Sequence, residues 1–363
     1  MTVPFLDLTA SYQELKTEID AAVTRSLASG WYIGGPEVAA FEEQFAAYTQ
    51  ASHCVGVANG LDALHLALRG LDIGPGDEVI LASNSYIATV LAVSMVGAIP
   101  VFVEPDPATH NLDSGRVEEA LTPRTRAILP THLYGQPADL DPLLDICRRH
   151  SLHLIEDAAQ AHGARYKGRP LGGHGHAVCW SFYPSKNLGA LGDAGAVTTN
   201  DPVLADRIRT LGNYGSHKRY VNEVRGVNSR LDPVQAAVLG AKLPRLEEWN
   251  SRRRRTAEFY LDRLAGTELT LPTVAKWADP AWHLFVVRSP ERNRLQARLA
   301  EAGIQTLIHY PIPPHRQQAY VDLRMAPGSL PIAERLASEV LSLPIGPHHS
   351  LEQAERVVEA LVG

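Results

Sequence analysis

One lysine stands out by its surroundings. Residues 180–195, WSFYPSKNLGALGDAG, run from an apolar strand into a glycine-rich loop that carries Lys186 between Ser185 and Asn187. A loop lysine usually faces solvent. Glycines close behind it let a ligand approach the backbone, and an amine in such a loop is a candidate nucleophile. A second segment, HLIEDAAQAHGA (153–164), ends an apolar strand on Glu156–Asp157 and opens into small residues. An acid there either caps the next helix or serves a ligand. A third, VANGLDALHLAL, sets Asn59, Gly60 and Leu61 at a strand-to-helix junction. Free amides and the helix dipole make such a junction an anion site, although a plain capped Asn-Gly turn uses the same residues.

These segments need a scaffold that brings strand ends together. From about residue 36 to residue 250, β-rich runs alternate with amphipathic helical ones. HCVGVA, DEVILA, IPVFV, RAILPT, LHLIED, AVCWSF and GAVTTN read as strands, and PEVAAFEEQFAAYTQ, LDALHLALRGL and DLDPLLDICRRH as helices. That order predicts an α/β fold with a mostly parallel central sheet flanked by helices. Ligands on such sheets bind beyond the carboxyl ends of the strands, where Asp157 and Lys186 are expected. After PRLEEWNSRRRRTAEFYLDRL the pattern changes to a smaller α/β unit. The predicted domains are 1–250, large, with an N-terminal arm, and 251–363, small and C-terminal.

Composition narrows the function classes. Of 363 residues, 45% are hydrophobic and 20% charged, as in an ordinary globular protein with a large core. A net charge of -6 gives no general attraction to nucleic acid or an anionic membrane. The basic run Arg252 to Arg255 sits beside Glu247, Glu248 and Glu258 and reads as a solvated helix face. Cys54, Cys147 and Cys179 lie far apart in apolar stretches and read as buried thiols. MTVPFLDLTASYQELK lacks the features of a signal peptide, and no apolar run approaches the ~20 residues of a membrane span. A reducing, cytoplasmic compartment is expected. His174 and His176, in a glycine-rich turn, have no Cys or carboxylate partner near in sequence, so no metal site is expected.

The order EDAAQAHGA, SFYPSKNLGALGDAGA, GVNSRLDPVQAAVL resembles the DegT/DnrJ/EryC1/StrS family of sugar aminotransferases. The resemblance begins at SGWYIGGPEVAAFEEQFA and continues through PTHLYGQPADLD and IHYPIP to PIAERLASEVLSLPIGP, essentially the whole chain. It implies the fold of fold-type I pyridoxal-phosphate enzymes, homodimers with active sites at the subunit boundary. It implies that Lys186 holds the aldehyde of pyridoxal 5'-phosphate as a Schiff base and later shuttles a proton, with pyridoxamine phosphate as the alternate cofactor form. An amine of pKa about 10.4 is protonated in water, so this role requires partial desolvation. Asp157 is implied as partner of the pyridine nitrogen, which must stay protonated for the ring to act as an electron sink. Gln160 is implied on the ring's phenolic oxygen and Tyr86 stacked on its face. For the phosphate the implied groups are the amides of Gly60 and Leu61, the Ser181 hydroxyl, and Asn228 from the partner subunit. The family more often has a hydroxyl residue where Leu61 stands, so here the backbone must serve.

The substrates implied are L-glutamate as donor and a nucleotide-linked keto sugar as acceptor. Tyr183, His309, Tyr310 and His315 lie in segments that face the sugar in relatives. Lys218, Arg219 and Tyr220, in SHKRY, are candidates for the diphosphate and base. VANGLDALHLAL and SNSYIATVLAVSMVGAIPVFVEP look like the branch acting at C-3 of dTDP-linked 3-keto-6-deoxyhexoses. A 4-keto acceptor is the alternative. A dehydratase of the same fold carries histidine at the Schiff-base position, against which Lys186 speaks. A non-catalytic binding protein has no need of Lys186, Asp157, Gln160 and Asn228 together.

Overall fold

The predicted strands pair into one sheet in the computed structural model, which describes residues 2–362. Along the chain they are β1 (His53–Val57), β2 (Glu78–Ala82), β3 (Ile99–Val103), β4 (Thr125–Leu129) and β5 (His153–Asp157). A short hairpin of β6 (Arg165–Tyr166) and β7 (Arg169–Pro170) precedes β8 (Ala177–Ser181) and β9 (Gly195–Thr199). The large sheet has the order β1-β9-β8-β5-β4-β2-β3. Only β9 runs against its neighbours; the pairs β8–β5, β5–β4, β4–β2 and β2–β3 are parallel. The carboxyl ends of β1, β5 and β8 and the start of β9 therefore share one edge.

Both faces of this sheet are buried, which is why its strands read as apolar runs without alternation. Ile80, Ile128, Leu154, Val178 and Trp180 face one core. Val79, Leu81, Ala127, Leu129, Ile155 and Cys179 face the other. The helices preceding α9 in chain order are α1 (Leu8–Glu14), α2 (Lys16–Ala28), α3 (Pro36–Thr49), α4 (Gly60–Gly70), α5 (Ile87–Met95), α6 (Leu140–His150), α7 (Pro202–Gly212) and α8 (Pro233–Lys242). Helices α3, α6 and α8 cover the first core, through residues such as Phe41, Phe45, Leu143 and Leu239. Helices α4, α5 and α7 cover the second, through Leu66, Val90 and Ile208. The three cysteines are free thiols buried within these two layers.

Residue 250 falls inside α9 (Leu246–Arg263). The first half of that helix packs Trp249 on Leu15 and Ile19. Its second half puts Ala257 and Tyr260 into the core of the C-terminal unit with Phe285, Leu299, Leu341 and Val357. Beyond it come β10 (Ala278–Asp279), β11 (Phe285–Arg288), α10 (Arg292–Glu301), α11 (Pro331–Glu339), β12 (Val340–Leu343) and α12 (Leu351–Val362), with β11 and β12 antiparallel. The chain start joins this unit: Val3 pairs with Ile304 and is fully buried there. The arginine run is not wholly solvated. Arg252 pairs with Glu14 and Glu248 and Arg254 with Asp279, as a charged face does. Arg253 instead turns inward, 3% exposed, and donates to the carbonyls of Trp282, His283 and Ile345. One of four consecutive helical residues must face the core, and here backbone carbonyls replace a carboxylate partner. Among the described residues no helix is long and apolar enough to cross a membrane.

Candidate active site

Three strand-end turns meet at the shared edge of the sheet, and missing side chains let them meet. A Cβ on Gly195 would lie 2.4 Å from the Asn59 carbonyl oxygen, and one on Gly60 2.5 Å from Ser181 Cβ. The start of β9, the end of β8 and the start of α4 are thus in backbone contact. Asn59 caps α4, its Oδ1 accepting from the Asp62 amide at 2.8 Å, while its carbonyl accepts from Ala63. The two preceding amides, of Gly60 and Leu61, stand at the open, positive end of the helix beside the Ser181 hydroxyl.

Asp157 closes β5. Its Oδ2 accepts from Thr89 Oγ1 on α5 at 2.7 Å, and its Oδ1 from the Ala159 amide at 3.1 Å. Two fixed donors on a carboxylate only 5% exposed hold it in one orientation. Gln160 is oriented from behind: the Tyr134 amide donates to its Oε1 at 2.6 Å, and its Nε2 donates to the Tyr310 hydroxyl at 3.0 Å. Lys186 sits on the loop after β8, its amide donating to the Tyr183 carbonyl at 2.8 Å. Its side chain is partly open to a cavity, yet protein surrounds that cavity. Burial therefore lowers the pKa from 10.5 to about 8, against a partial rise from the Asp157 charge. A useful fraction of the amine is neutral near physiological pH.

The cavity has a volume of about 540 Å³. Of the residues singled out in the sequence, Gly60, Leu61, Tyr86, Asp157, Gln160, Ser181, Tyr183, Lys186, His309 and Tyr310 line it. Tyr86 and Tyr310 face one another with ring centres 5.0 Å apart, and His309 is held at Nδ1 by Ser342 Oγ at 2.8 Å. Burial, then the Lys186 charge, lower the His309 pKa to about 4, so this ring is neutral. Other singled-out residues lie elsewhere on the chain. Asn228 forms an isolated bridge with Asn213, and Lys218 one with Val221. The Arg219 guanidinium lies over the Tyr220 ring, which is 86% exposed. His315 is buried against Phe102, with Nε2 3.2 Å from Glu334 Oε1. His174 packs edge-on against Tyr166, and among the described residues no group of three or more potential ligands is placed to hold a metal.

Sequence reasoning passed over Thr89, Thr131 and His283. Thr131 lines the cavity with a buried hydroxyl that has no partner. It ends the run RAILPT, so the strand-end rule was a signal that pointed to it. Thr89 lies on a helix face and His283 in the apolar run WHLFVV, where no local pattern marks them.

The arrangement fits pyridoxal 5'-phosphate. A partly neutral lysine suits an aldehyde, a fixed carboxylate suits a ring nitrogen, and an open helix end beside a hydroxyl suits a phosphate. Thr131 adds an orphaned polar atom on the same wall.

Known proteins resemble this chain over its whole length. The solved structure of S. venezuelae DesV in complex with a ketimine intermediate superposes with a TM-score of 0.98 at 56% identity, covering 99% of this chain and 97% of that one. Among curated proteins, erythromycin biosynthesis sensory transduction protein EryC1 of Saccharopolyspora erythraea is 58% identical, over 99% of both chains. A dTDP-3-amino-3,4,6-trideoxy-alpha-D-glucose transaminase of Streptomyces venezuelae is 56% identical, over 99% of this chain and 95% of its own. A dTDP-3-amino-3,6-dideoxy-alpha-D-galactopyranose transaminase of Aneurinibacillus thermoaerophilus is 54% identical, over 99% and 98%. With residues 13–362 matching the family as a whole, the chain belongs to the DegT/DnrJ/EryC1/StrS aminotransferase family and works with pyridoxal 5'-phosphate.

Proposed function

We propose that this protein transfers an amino group from L-glutamate to C-3 of a dTDP-linked 3-keto-6-deoxyhexose. The observation that carries the reading is the convergence of Lys186, Asp157 and the α4 amides on one cavity, in a chain more than half identical to two transaminases named for dTDP-3-amino sugars. The names of those relatives differ at C-4 of the hexose, which is deoxy in the glucose-named sugar and carries a galacto hydroxyl in the other. The proposal therefore commits to the carbon and not to the sugar's configuration.

Bound in this cavity, pyridoxal 5'-phosphate supplies an electron sink and a carbonyl that exchanges with an amine. Asp157 would stand against the ring nitrogen and keep it protonated, since a fixed anion favours the charged form. The Gly60 and Leu61 amides and Ser181 would hold the phosphate. Gln160 and Tyr86 would fix the ring's edge and face. Lys186 Nζ takes and returns a proton, and its lowered pKa suits both directions near neutrality. Tyr183, His309 and Tyr310, which also line the cavity, would meet the sugar.

Asn228, Lys218, Arg219 and Tyr220 lie off this protomer's cavity. We read them as reaching the site of a second copy, Asn228 toward the phosphate and the 218–220 segment toward the nucleotide. Its exposed aromatic and two cations suit a base and a diphosphate. His315, buried on Glu334, would act on the sugar only through its neighbours.

Mixing the holoenzyme with L-glutamate alone tests the donor half. The cofactor's visible band should be lost as 2-oxoglutarate appears stoichiometrically. A band unmoved by glutamate, but bleached by another amino acid, would remove glutamate as donor.

A further inference from the structure

Asn187 follows the reactive lysine, and its amide is held by groups that fix which end is nitrogen. Nδ2 donates to the Ala281 carbonyl at 2.8 Å and to Asn250 Oδ1 at 2.9 Å. A backbone carbonyl only accepts, so the amide atom facing Ala281 is the nitrogen. Asn250 is fixed the same way, its Nδ2 donating to the His162 carbonyl at 2.8 Å. This relay is packed without slack: a Cβ on Gly163 would lie 2.3 Å from Asn250 Nδ2. The remaining atom, Asn187 Oδ1, is an acceptor, and it lies 3.0 Å from His283 Nδ1. The ring proton must then sit on Nδ1, which leaves a lone pair on Nε2. His283 is 8% exposed, and what it faces is the cavity of Lys186.

We infer that His283 is a positioning residue for Lys186, its Nε2 being the acceptor on the cavity wall that is offered to the lysine amine when turnover releases that amine from the cofactor. The inference rests on Lys186 being the reactive amine. The ring serves as an acceptor and not as a base. Burial, foremost, and then the charges or potential charges of Lys186, Arg253, His309 and His162 around it oppose a second ring proton. One N–H of Lys186 is thereby tethered at the wall, and the lone pair of the amine is left to face the cavity. Asn187 is the backstop that sets the tautomer, as a neighbouring carbonyl oxygen does for many functional imidazoles.

Two substitutions separate this role from simple packing. His283→Asn sets an amide nitrogen near the position of Nδ1, so it keeps the donation to Asn187 and loses the cavity acceptor. His283→Gln reaches the position of Nε2 with an amide oxygen and restores an acceptor. The chain has six lysines, so the Lys186 Cε resonance can be followed in protein with labelled lysine, assigned with Lys186→Met. The protein is loaded with pyridoxamine phosphate, in which the amine is free. An acceptor at the amine stabilises its ammonium, so His283→Asn should lower the Lys186 titration midpoint by about one pH unit. It should also slow the glutamate half-reaction roughly tenfold. His283→Gln should return both toward the wild-type values. An unchanged midpoint in His283→Asn would overturn the inference, and so would a shift that His283→Gln does not reverse. Failure of the underlying reading looks different: Lys186→Met would keep full turnover.

Discussion

The lowered pKa of Lys186 has a cost in the cofactor-free protein, and its sign and size can be worked out. The amine titrates at about 8 in the folded chain against 10.5 ordinarily, chiefly because protein surrounds it. Below about pH 8 both folded and unfolded chains carry the charge, and the folded chain bears the full desolvation penalty. Between about 8 and 10.5 the unfolded chain holds the extra proton, so stability rises with pH across that window. At ~1.4 kcal/mol per tenfold, the gap corresponds to about 3 kcal/mol. Water in the open cavity screens part of it, so roughly 1–3 kcal/mol is expected. Lys186→Met keeps the aliphatic stem and removes the charge. Freed of cofactor, this variant should be more stable than the parent by that amount at pH 7, in urea unfolding at matched protein concentration. The advantage should shrink as pH rises through 8 and vanish above 10.5. A variant less stable than the parent at pH 7, or an advantage independent of pH, would refute the account of the amine's environment.

Asp157→Asn preserves shape and the Thr89 contact but removes the charge, and should slow the glutamate half-reaction by roughly two to three decades; a near-parental rate would dismiss its role. Gly60→Ala forces a methyl to within 2.5 Å of Ser181 Cβ, which at about 1–3 kcal/mol of overpacking should weaken cofactor binding roughly five- to a hundredfold. Unchanged cofactor affinity would show that the turn does not hold the phosphate. Mixing inactive Lys186→Ala with an inactive Asn228→Ala should restore about a quarter of parental activity, since half the dimers are mixed and each has one intact site. No recovery after subunit exchange would place Asn228 outside a shared site.

Sequence legibility followed the range of the forces involved. Each strand of the large sheet was visible because a doubly covered strand must be apolar on both faces, a local property. The reversed direction of β9 was not, because GAVTTN buries the same side chains either way up. The pairing of Val3 with Ile304 links opposite ends of the sequence and leaves no mark on either. Lys186, Asp157 and Gly60 stood out because strand-end loops with small residues are locally unusual. His309 and Tyr310 entered only by resemblance, and His283 not at all. Its role depends on Asn187, Asn250 and Ala281, which the fold alone brings together. Arg253 shows the same limit: its run looks solvated, and only the carbonyls of Trp282, His283 and Ile345 explain why one member turns inward.

The central claim concerns where the nitrogen goes. If Asp157 and Lys186 hold the cofactor as proposed, the depth at which the nucleotide seats the hexose decides which carbonyl meets the amine, and a misplacement of ~1 Å can cost about a hundredfold. The direct measurement supplies ¹⁵N-glutamate with dTDP-linked 3-keto- and 4-keto-6-deoxyhexoses and locates the label in the product by NMR coupling within the sugar ring. The expected product carries ¹⁵N on C-3, from the 3-keto acceptor. Label on C-4, with the 3-keto acceptor left unconsumed, would contradict it.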